Sequence, residues 1–369
     1  MTKEPRGGAS TPGRTMQSDY MHWAKFQPPV RYPLTGSEVE HVHFDRLGLS
    51  LDDLELDGAS HPRYPPLREA IARHCGVATE RVVAADGTAM ANFLALATLV
   101  APGDEVLIER PAYDPLVGAA SFLGAAVRRF ERNPKDGFRL DPARIEATAT
   151  QNTRVIVLTN LHNPSSALAS EDELRSVGEI AERVGARVLV DEVYLDSAVP
   201  RQPSAARLGD VFVTTSSLTK VYGLSGLRCG WILADPALAE RMWRLNDLFG
   251  VNQAHQAERL ACIAFAQLEP VTGDTRALLE RNRIAFNIFV AGRTDLDSSP
   301  AEHGITAFPR WAGGDTRRLD ELLRGRFDTA VVPGCWFEMP EHFRVGFALP
   351  AADFAEALNR LGQALDQLS

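Results

Sequence analysis

The sequence predicts an α/β fold: a large domain whose mostly parallel sheet is sandwiched by helices, then a smaller α+β domain. Three observations predict it. From about residue 60 to residue 250, short apolar or β-branched runs alternate with longer amphipathic ones, as strands buried on both faces do when helices connect them. Beyond residue 250 the strand signals thin and helical periodicity takes over. The chain has 369 residues, past the size at which a single core stops growing.

The runs follow in order. "RVVAA" (81–85) precedes the Ala/Leu-rich "TAMANFLALATLVA", and "EVLIE" (105–109) precedes "AYDPLVGAASFLG". "RVIVLTN" (154–160) precedes "SEDELRSVGEIAERVG", where Ser170 and Glu173 have the spacing of a capping box. "ARVLVDE" (186–192), "DVFVTTSS" (210–217) and "GWILA" (230–234) complete the strand set. A long helical stretch spans 254–290, and "AADFAEALNRLGQALDQL" closes the chain as a helix. Residues 1–19 read as a flexible leader, 20–45 as a segment joining the small domain and covering the site, 46–250 as the large domain, and 251–369 as an interdomain helix with the small domain. In a parallel sheet the functional residues gather at the carboxyl ends of the strands.

Composition excludes several function classes. A net charge of −9 argues against a nucleic-acid surface. The arginine-dense pieces "VRRFER" and "TRRLDELLRGR" interleave with acids and apolar residues and read as solvated faces. Cys75, Cys229, Cys262 and Cys335 are too widely spaced for a zinc site and do not suggest a disulfide framework. No apolar run reaches the roughly eighteen residues of a membrane helix, and the Gly/Pro/Ser-rich N-terminus has no apolar signal region. A cytoplasmic location is expected.

The chain makes its cations almost entirely with arginine: of 39 Lys plus Arg, the lysines are Lys3, Lys25, Lys135 and Lys220. Lys220 stands apart, after the run "VFVTTSS" and before the glycine-punctuated "GLSG". An amine at a strand end serves as a nucleophile or base when burial or a nearby cation, here Arg228, keeps it neutral; otherwise it is a surface lysine. Asp191 ends an apolar strand, where a carboxylate must find a donor or cation or else be protonated; the adjacent Glu192 should face the other way. Gly87, Thr88 and Ala89 lie between strand and helix, where backbone N–H groups and the helix dipole favour an anion, unless they merely cap the helix. Asn163 precedes Pro164 in a turn signal. Arg344, inside "FRVGFA", is either an edge-strand charge or a bidentate carboxylate receptor.

In this order the residues resemble the fold-type I pyridoxal-phosphate (PLP) enzymes, specifically the class I/II aminotransferase superfamily. The resemblance runs from about Gly36 to Leu349 and rests on "HNPS", "VDEVY" and the pattern S-x-x-K-x-x-G-x-x-G-x-R-x-G from Ser217 to Gly230. It implies that Lys220 bonds the cofactor and then moves the substrate's Cα proton, a role arginine cannot take. It implies that Asp191 pairs with the protonated pyridine nitrogen, and that Tyr194 and Asn163 hydrogen-bond the ring's phenolic oxygen. Thr88, Ala89, Ser217 and Arg228 would clamp the phosphate, with Gly87 shaping the turn. Tyr113 would stack on the ring, and Arg344 would take the substrate carboxylate with Asn163 and Gly36 nearby. Tyr64 would reach the phosphate of the neighbouring subunit of a homodimer, or else is a packing residue at a helix entry.

Two departures stand out: Ser165-Ser166 follows Asn163-Pro164 where a glycine is usual, and "DGTAMA" lacks a common acidic residue. The implied reaction is ping-pong exchange of an amino group between an amino acid and a 2-oxo acid. PLP-dependent lyases and amino-acid cyclising enzymes share the same Lys and Asp and are the alternative. A cofactor-sensing transcription regulator would need a DNA-binding module, for which the leader is too short. "YMHWAK" and "LTGSEV" are candidates for a cover over the site, Trp336 and Phe337 for a pocket wall, and Arg31 or Arg310 for a second carboxylate receptor.

Overall fold

The structure is a computed structural model that describes residues 15–368; most of the expected leader, residues 1–14, lies outside the described residues. The described chain enters through α1 (Asp19–Phe26), capped by Ser18, and β1 (Tyr32–Pro33). It then builds the large layered unit. Helix α2 (Pro65–Cys75) leads to β2 (Val82–Asp86), α3 (Gly87–Leu99), β3 (Glu105–Arg110), α4 (Asp114–Phe122), β4 (Ala126–Glu131) and α5 (Pro142–Thr148). Next come β5 (Thr153–Thr159), α6 (Glu171–Val184), β6 (Arg187–Asp191), β7 (Phe212–Ser217), β8 (Cys229–Leu233) and α7 (Pro236–Asn246).

The central sheet has seven strands in the order β2-β8-β7-β6-β5-β3-β4. All neighbours are parallel except β8, which runs antiparallel to both β2 and β7. Alternation along the strands covers both faces. Val106, Ile108, Val155 and Val157 pack on the side of α3 and α4, while Leu107, Ile156, Leu158 and Val188 pack with Ile145, Val177 and Ile180 of α5 and α6. The capping box at Ser170 and Glu173 starts α6, and Gly185, at φ +76°, ends it.

The arginine-dense "VRRFER" is the edge strand β4 rather than a solvated face. Arg128 and Glu131 are exposed, Val127 and Arg129 half-buried and Phe130 buried, and Arg132, just past the strand end, is only 1% exposed. Arg132 Nε pairs with buried Glu109 Oε2 at 2.8 Å. The expected helical stretch over 254–290 is two helices, α8 (His255–Phe265) and α9 (Leu268–Ala291), parted at Ala266-Gln267.

Beyond α9 the chain adds short strands: β9 (Leu296–Asp297), β10 (Thr306–Ala307), β11 (Arg310–Trp311), then α10 (Thr316–Arg326), β12 (Thr329–Ala330), β13 (Val332–Pro333), β14 (Phe343–Gly346) and α11 (Ala351–Leu368). Strand β14 lies between β10 and β13, and β1 pairs in parallel with β12, which ties the N-terminal segment to this part. A separate apolar cluster holds it together, with Leu279, Phe286, Val345, Phe347, Phe354 and Leu361 at its centre. Among the described residues, no helix is long and apolar enough to cross a membrane.

Candidate active site

The carboxyl ends of β5, β6 and β7 open into a cavity of about 660 Å³ bounded by α1, the segment 33–38, the start of α3 and β14. Asp191 forms its floor. It is 4% exposed, and its Oδ2 accepts from Asn92 Nδ2 at 2.7 Å while Oδ1 accepts from Val193 N–H at 3.0 Å. Burial raises its pKa to about 6, against the pull of those two donors and of the Lys220 charge. Asn92 is oriented in turn by Thr215, whose hydroxyl donates to Asn92 Oδ1 at 2.6 Å. Sequence reading missed Asn92, although it follows Thr88 by one helical turn of α3 and so shares its face.

Glu192 does point the other way, away from the cavity. Ala205 N–H donates to its Oε1 at 2.7 Å, and burial raises its pKa to about 8.

One end of the cavity is built for an anion. Thr88 and Ala89 line it at the first turn of α3, where unpaired N–H groups and the dipole point outward. Thr88 Oγ1 donates to Ser217 Oγ at 2.8 Å, and Ser217 Oγ bonds Thr219 Oγ1 at 2.6 Å. Gly87 has φ +78°, and a Cβ there would stand 2.3 Å from the Arg228 guanidinium, which hydrogen-bonds Asp86 O at 3.0 Å. Gly230 is equally constrained, since a Cβ would fall 2.5 Å from the Gly87 carbonyl carbon.

Lys220 lines the same cavity, and its charge acts on Asp191. The ionic partner of Lys220 is Glu38 Oε2, 3.4 Å from Nζ, and Arg228, the nearby cation expected from the sequence, lines the same cavity. Of the "GLSG" glycines, Gly223 is required, because a Cβ would meet Glu40 O at 2.1 Å; Gly226 has open space.

The other end is built for a carboxylate. Arg344 is 2% exposed on the middle strand of its sheet, which rules out the edge-charge reading. Its Nη1 donates to Asn163 Oδ1 at 3.1 Å, and Nη2 donates to Tyr20 Oη at 3.1 Å and Thr35 O at 3.3 Å. Its Nε is buried with no hydrogen-bond partner among the described residues, an unspent donor in a group whose natural complement is a carboxylate. Gly36 lines the same cavity and packs on β14 at Gly346, where a Cβ would stand 1.8 Å from Gly36 O. Tyr20 belongs to the "YMHWAK" segment expected as a cover over the site, and that segment does line the cavity; its bond to Arg344 carries no local sequence signal.

Asn163 is fixed by Thr159, whose Oγ1 accepts its N–H at 2.9 Å. Burial keeps His162 neutral, so with Nε2 donating to Pro111 O at 3.0 Å, Nδ1 accepts from Ser165 Oγ at 2.7 Å. The unusual Ser165-Ser166 pair thus closes the turn with side chains: Ser166, at φ +61°, bonds Thr306 Oγ1 at 3.1 Å.

Tyr113 and Tyr194 line the cavity, Tyr113 edge-on to Tyr20 at 6.0 Å. Tyr64 does not reach it; it sits at the start of α2 with its ring edge-on to His255 at 5.5 Å. Trp336 and Phe337 do not line it either, but back Tyr20 from outside. Neither Arg31 nor Arg310 faces it; Arg310 pairs with Glu341 at 2.7 Å. Lys25 and Arg324 line it instead.

Comparison with known proteins gives the family. The profile described as "Aminotransferase class I and II" matches residues 18–361. The chain belongs to the class I and II aminotransferases. It resembles capreomycidine synthase of Streptomyces vinaceus, 30% identical over 81% of this chain and 78% of that one. It also resembles histidinol-phosphate aminotransferase of Halorubrum lacusprofundi, 29% identical over 90% and 94% of the two chains. In fold it matches a PLP-dependent aminotransferase of Streptococcus suis (TM-score 0.88, 24% identity, 95% and 97% covered) and a PLP-dependent cyclase (TM-score 0.86, 24% identity, 98% and 100% covered). As an aminotransferase of this family the protein is a PLP-dependent enzyme.

The residues present fit that cofactor. The helix start with Arg228 suits the phosphate, the buried carboxylate of Asp191 suits a protonated ring nitrogen, and the Lys220 amine lines the same cavity.

Proposed function

We propose that this aminotransferase moves an amino group between an amino acid and a 2-oxo acid, with Asp191, Lys220 and Arg344 as its working residues. The observation that carries the reading is their convergence: an anion cradle, a buried carboxylate, a lysine and an arginine with an unspent donor line one 660 Å³ cavity. When bound, PLP supplies a ring that withdraws the electrons of the bond broken at the amino acid's Cα.

The chain's own residues do the rest. Thr88, Ala89, Ser217 and Arg228 hold the phosphate, with Gly87 and Gly230 keeping that approach open. Asp191 receives the ring N–H, and Asn92 keeps its carboxylate aimed. Tyr194 and Asn163 donate to the phenolic oxygen, and Tyr113 packs on the ring. Arg344 binds the α-carboxylate, with Asn163 and Gly36 at its side. Lys220 Nζ would carry the proton from the amino acid's Cα to the cofactor carbon in the first half-reaction and from that carbon to the Cα of the incoming 2-oxo acid in the second.

The finer assignments follow the same logic. The protein works as a cytoplasmic homodimer in amino-acid metabolism, and Tyr64, remote from its own cavity, serves the partner's phosphate. A large and a small unit each have an apolar cluster, with the first running on through Ala261, Ala264 and Leu268 and the second taking in Leu161, Tyr194 and Ala198, so the division at residues 46–250 and 251–369 does not follow the cores residue for residue. In the test, holoenzyme is incubated with a panel of amino acids and a 2-oxo acid acceptor. Formation of the acceptor's amino acid is the expected result; release of ammonia without transfer contradicts it and points to a lyase.

One observation favours a second reading: the similarity to capreomycidine synthase and to a PLP-dependent cyclase. On that reading the same residues labilise the substrate and the product is a cyclic amino acid. Mass spectrometry separates the two, because cyclisation consumes no 2-oxo acid.

A further inference from the structure

We infer that Glu38 makes this site selective for amino acids with a cationic side chain, of the ornithine, lysine or arginine type. The inference rests on the reading of the cavity as an aminotransferase site and extends it to substrate class.

It starts from charge. Two carboxylates line the cavity, Asp191 and Glu38. Asp191 is committed to Asn92 and the Val193 N–H at the floor. Glu38 has one charged partner among the described residues, Lys220 at 3.4 Å, and is 39% exposed. That partner is the amine the cofactor takes. Once Lys220 is committed to the cofactor, Glu38 is left as a partly covered carboxylate facing the substrate space without a counter-charge. A carboxylate so placed favours a cation and penalises an anion.

The lining cations do not offer a matching second carboxylate receptor. Arg228 stands at the phosphate end and Arg344 at the α-carboxylate end. Arg324 is occupied, with Nε on Asp320 Oδ2 at 2.8 Å, Nη1 on Pro28 O at 3.1 Å, and its guanidinium 5.7 Å from the Trp23 ring centroid. Lys25 is exposed on the last turn of α1.

Position agrees with charge. Glu38 belongs to the segment whose Thr35 carbonyl accepts from Arg344 and whose Val39 N–H donates to Lys220 O at 3.0 Å. The three-residue step from Thr35 to Glu38 reaches at most about 10 Å. An amino acid held by its carboxylate at Arg344 spans a similar distance with a basic side chain. Backbone anchors on either side hold the segment that carries Glu38 within that limit.

The test uses holoenzyme, with the visible absorption of the lysine-bound cofactor as readout. Ornithine, lysine and arginine are compared with norleucine, a neutral chain of similar length, and with aspartate, in wild type, Glu38→Gln and Glu38→Asp. The expected result is a preference for the basic amino acids over norleucine, in kcat/KM of the first half-reaction, of at least about tenfold, the worth of a charge-assisted hydrogen bond. Glu38→Gln should abolish that preference while norleucine changes about twofold or less, and Glu38→Asp should retain part of it. A uniform fall for every amino acid in Glu38→Gln overturns the inference, because Glu38 then acts on Lys220 and not on the substrate. A normal cofactor band with neutral or acidic amino acids preferred, or with no basic amino acid reacting, overturns it alone. Absence of the band in wild type overturns the aminotransferase-site reading, and this inference with it.

Discussion

Asp191 and Glu192 are neighbours in sequence, equally buried, and turned to opposite faces of the sheet edge. Burial raises both pKa values, to about 6 and about 8. For Asp191 the consequence is functional. Pairing with a protonated ring nitrogen requires the ionised carboxylate, so cofactor affinity, read by absorbance titration, should fall as pH drops below about 6. Asp191→Asn should weaken binding by roughly tenfold or more and flatten that pH dependence. For Glu192 the consequence is stability. A carboxyl whose folded pKa lies above its unfolded value binds more protons in the folded state, so stability declines as pH rises from the unfolded value towards about 8. Glu192→Gln removes that decline while keeping the acceptor for Ala205 N–H. Its melting temperature should match wild type near pH 5 and exceed it near pH 8; a variant less stable at pH 8 would contradict this. Lys220, Asp191, Asn163 and Arg344 were legible in the sequence because each is a polar residue at a position where an apolar strand or a turn makes it conspicuous. For Glu38 and Tyr20 only their segments, "LTGSEV" and "YMHWAK", were legible as a cover over the site; their individual partners, Lys220 and Arg344, come from distant parts of the chain.

At the scale of elements, two close approaches of backbone hold the site. The loop from β7 to β8 brings Gly230 against Gly87 so tightly that a Cβ falls within 2.6 Å of two backbone atoms. Gly230→Ala must push the start of α3 away, at a cost of about 1–3 kcal/mol. Weaker cofactor binding with a lowered melting temperature is the expected outcome. At the other end, Gly346→Ala must displace the Gly36 segment, 1.8 Å from the added carbon. Here KM for the amino acid should rise, because the Thr35 carbonyl of that segment bonds the carboxylate receptor Arg344, and kcat should fall with it, because Glu38 of the same segment pairs with Lys220 Nζ. The strand-and-helix alternation was read correctly because β-branched runs between helical ones leave few other folds. The edge strand β4 was not, because its exposed and half-buried arginines hid its apolar residues, and Arg132 looked solvated when Glu109 neutralises it in the interior. The helical stretch 254–290 was taken as continuous because nothing in Ala266-Gln267 signals a break.

Over the whole molecule, the cavity is completed by parts far apart in the chain: α1 and the 33–38 segment, the strand ends, and β14. Exposed Leu248, Phe249 and Val251 lie beyond α7, with Phe249 edge-on to Phe93 of α3 at 6.0 Å, so an apolar face adjoins the helix that opens the phosphate cradle. In the proposed dimer that face is covered. Phe249→Arg should shift the sedimentation profile to monomer and loosen cofactor binding, whereas an unchanged profile would place the interface elsewhere. Tyr64 could be flagged from sequence only as a residue for another subunit or for packing, and within the single chain its ring packs edge-on to His255 and does not line the cavity.

The central claim is that Lys220 is the cofactor-bearing amine, and the most direct measurement is chemical. Holoenzyme is reduced with borohydride, digested, and the peptide carrying the cofactor adduct located by mass spectrometry. The adduct is expected on Lys220, with the visible cofactor band missing from Lys220→Ala. An adduct on Lys25 or Lys135, or a band that survives in Lys220→Ala, would contradict the account.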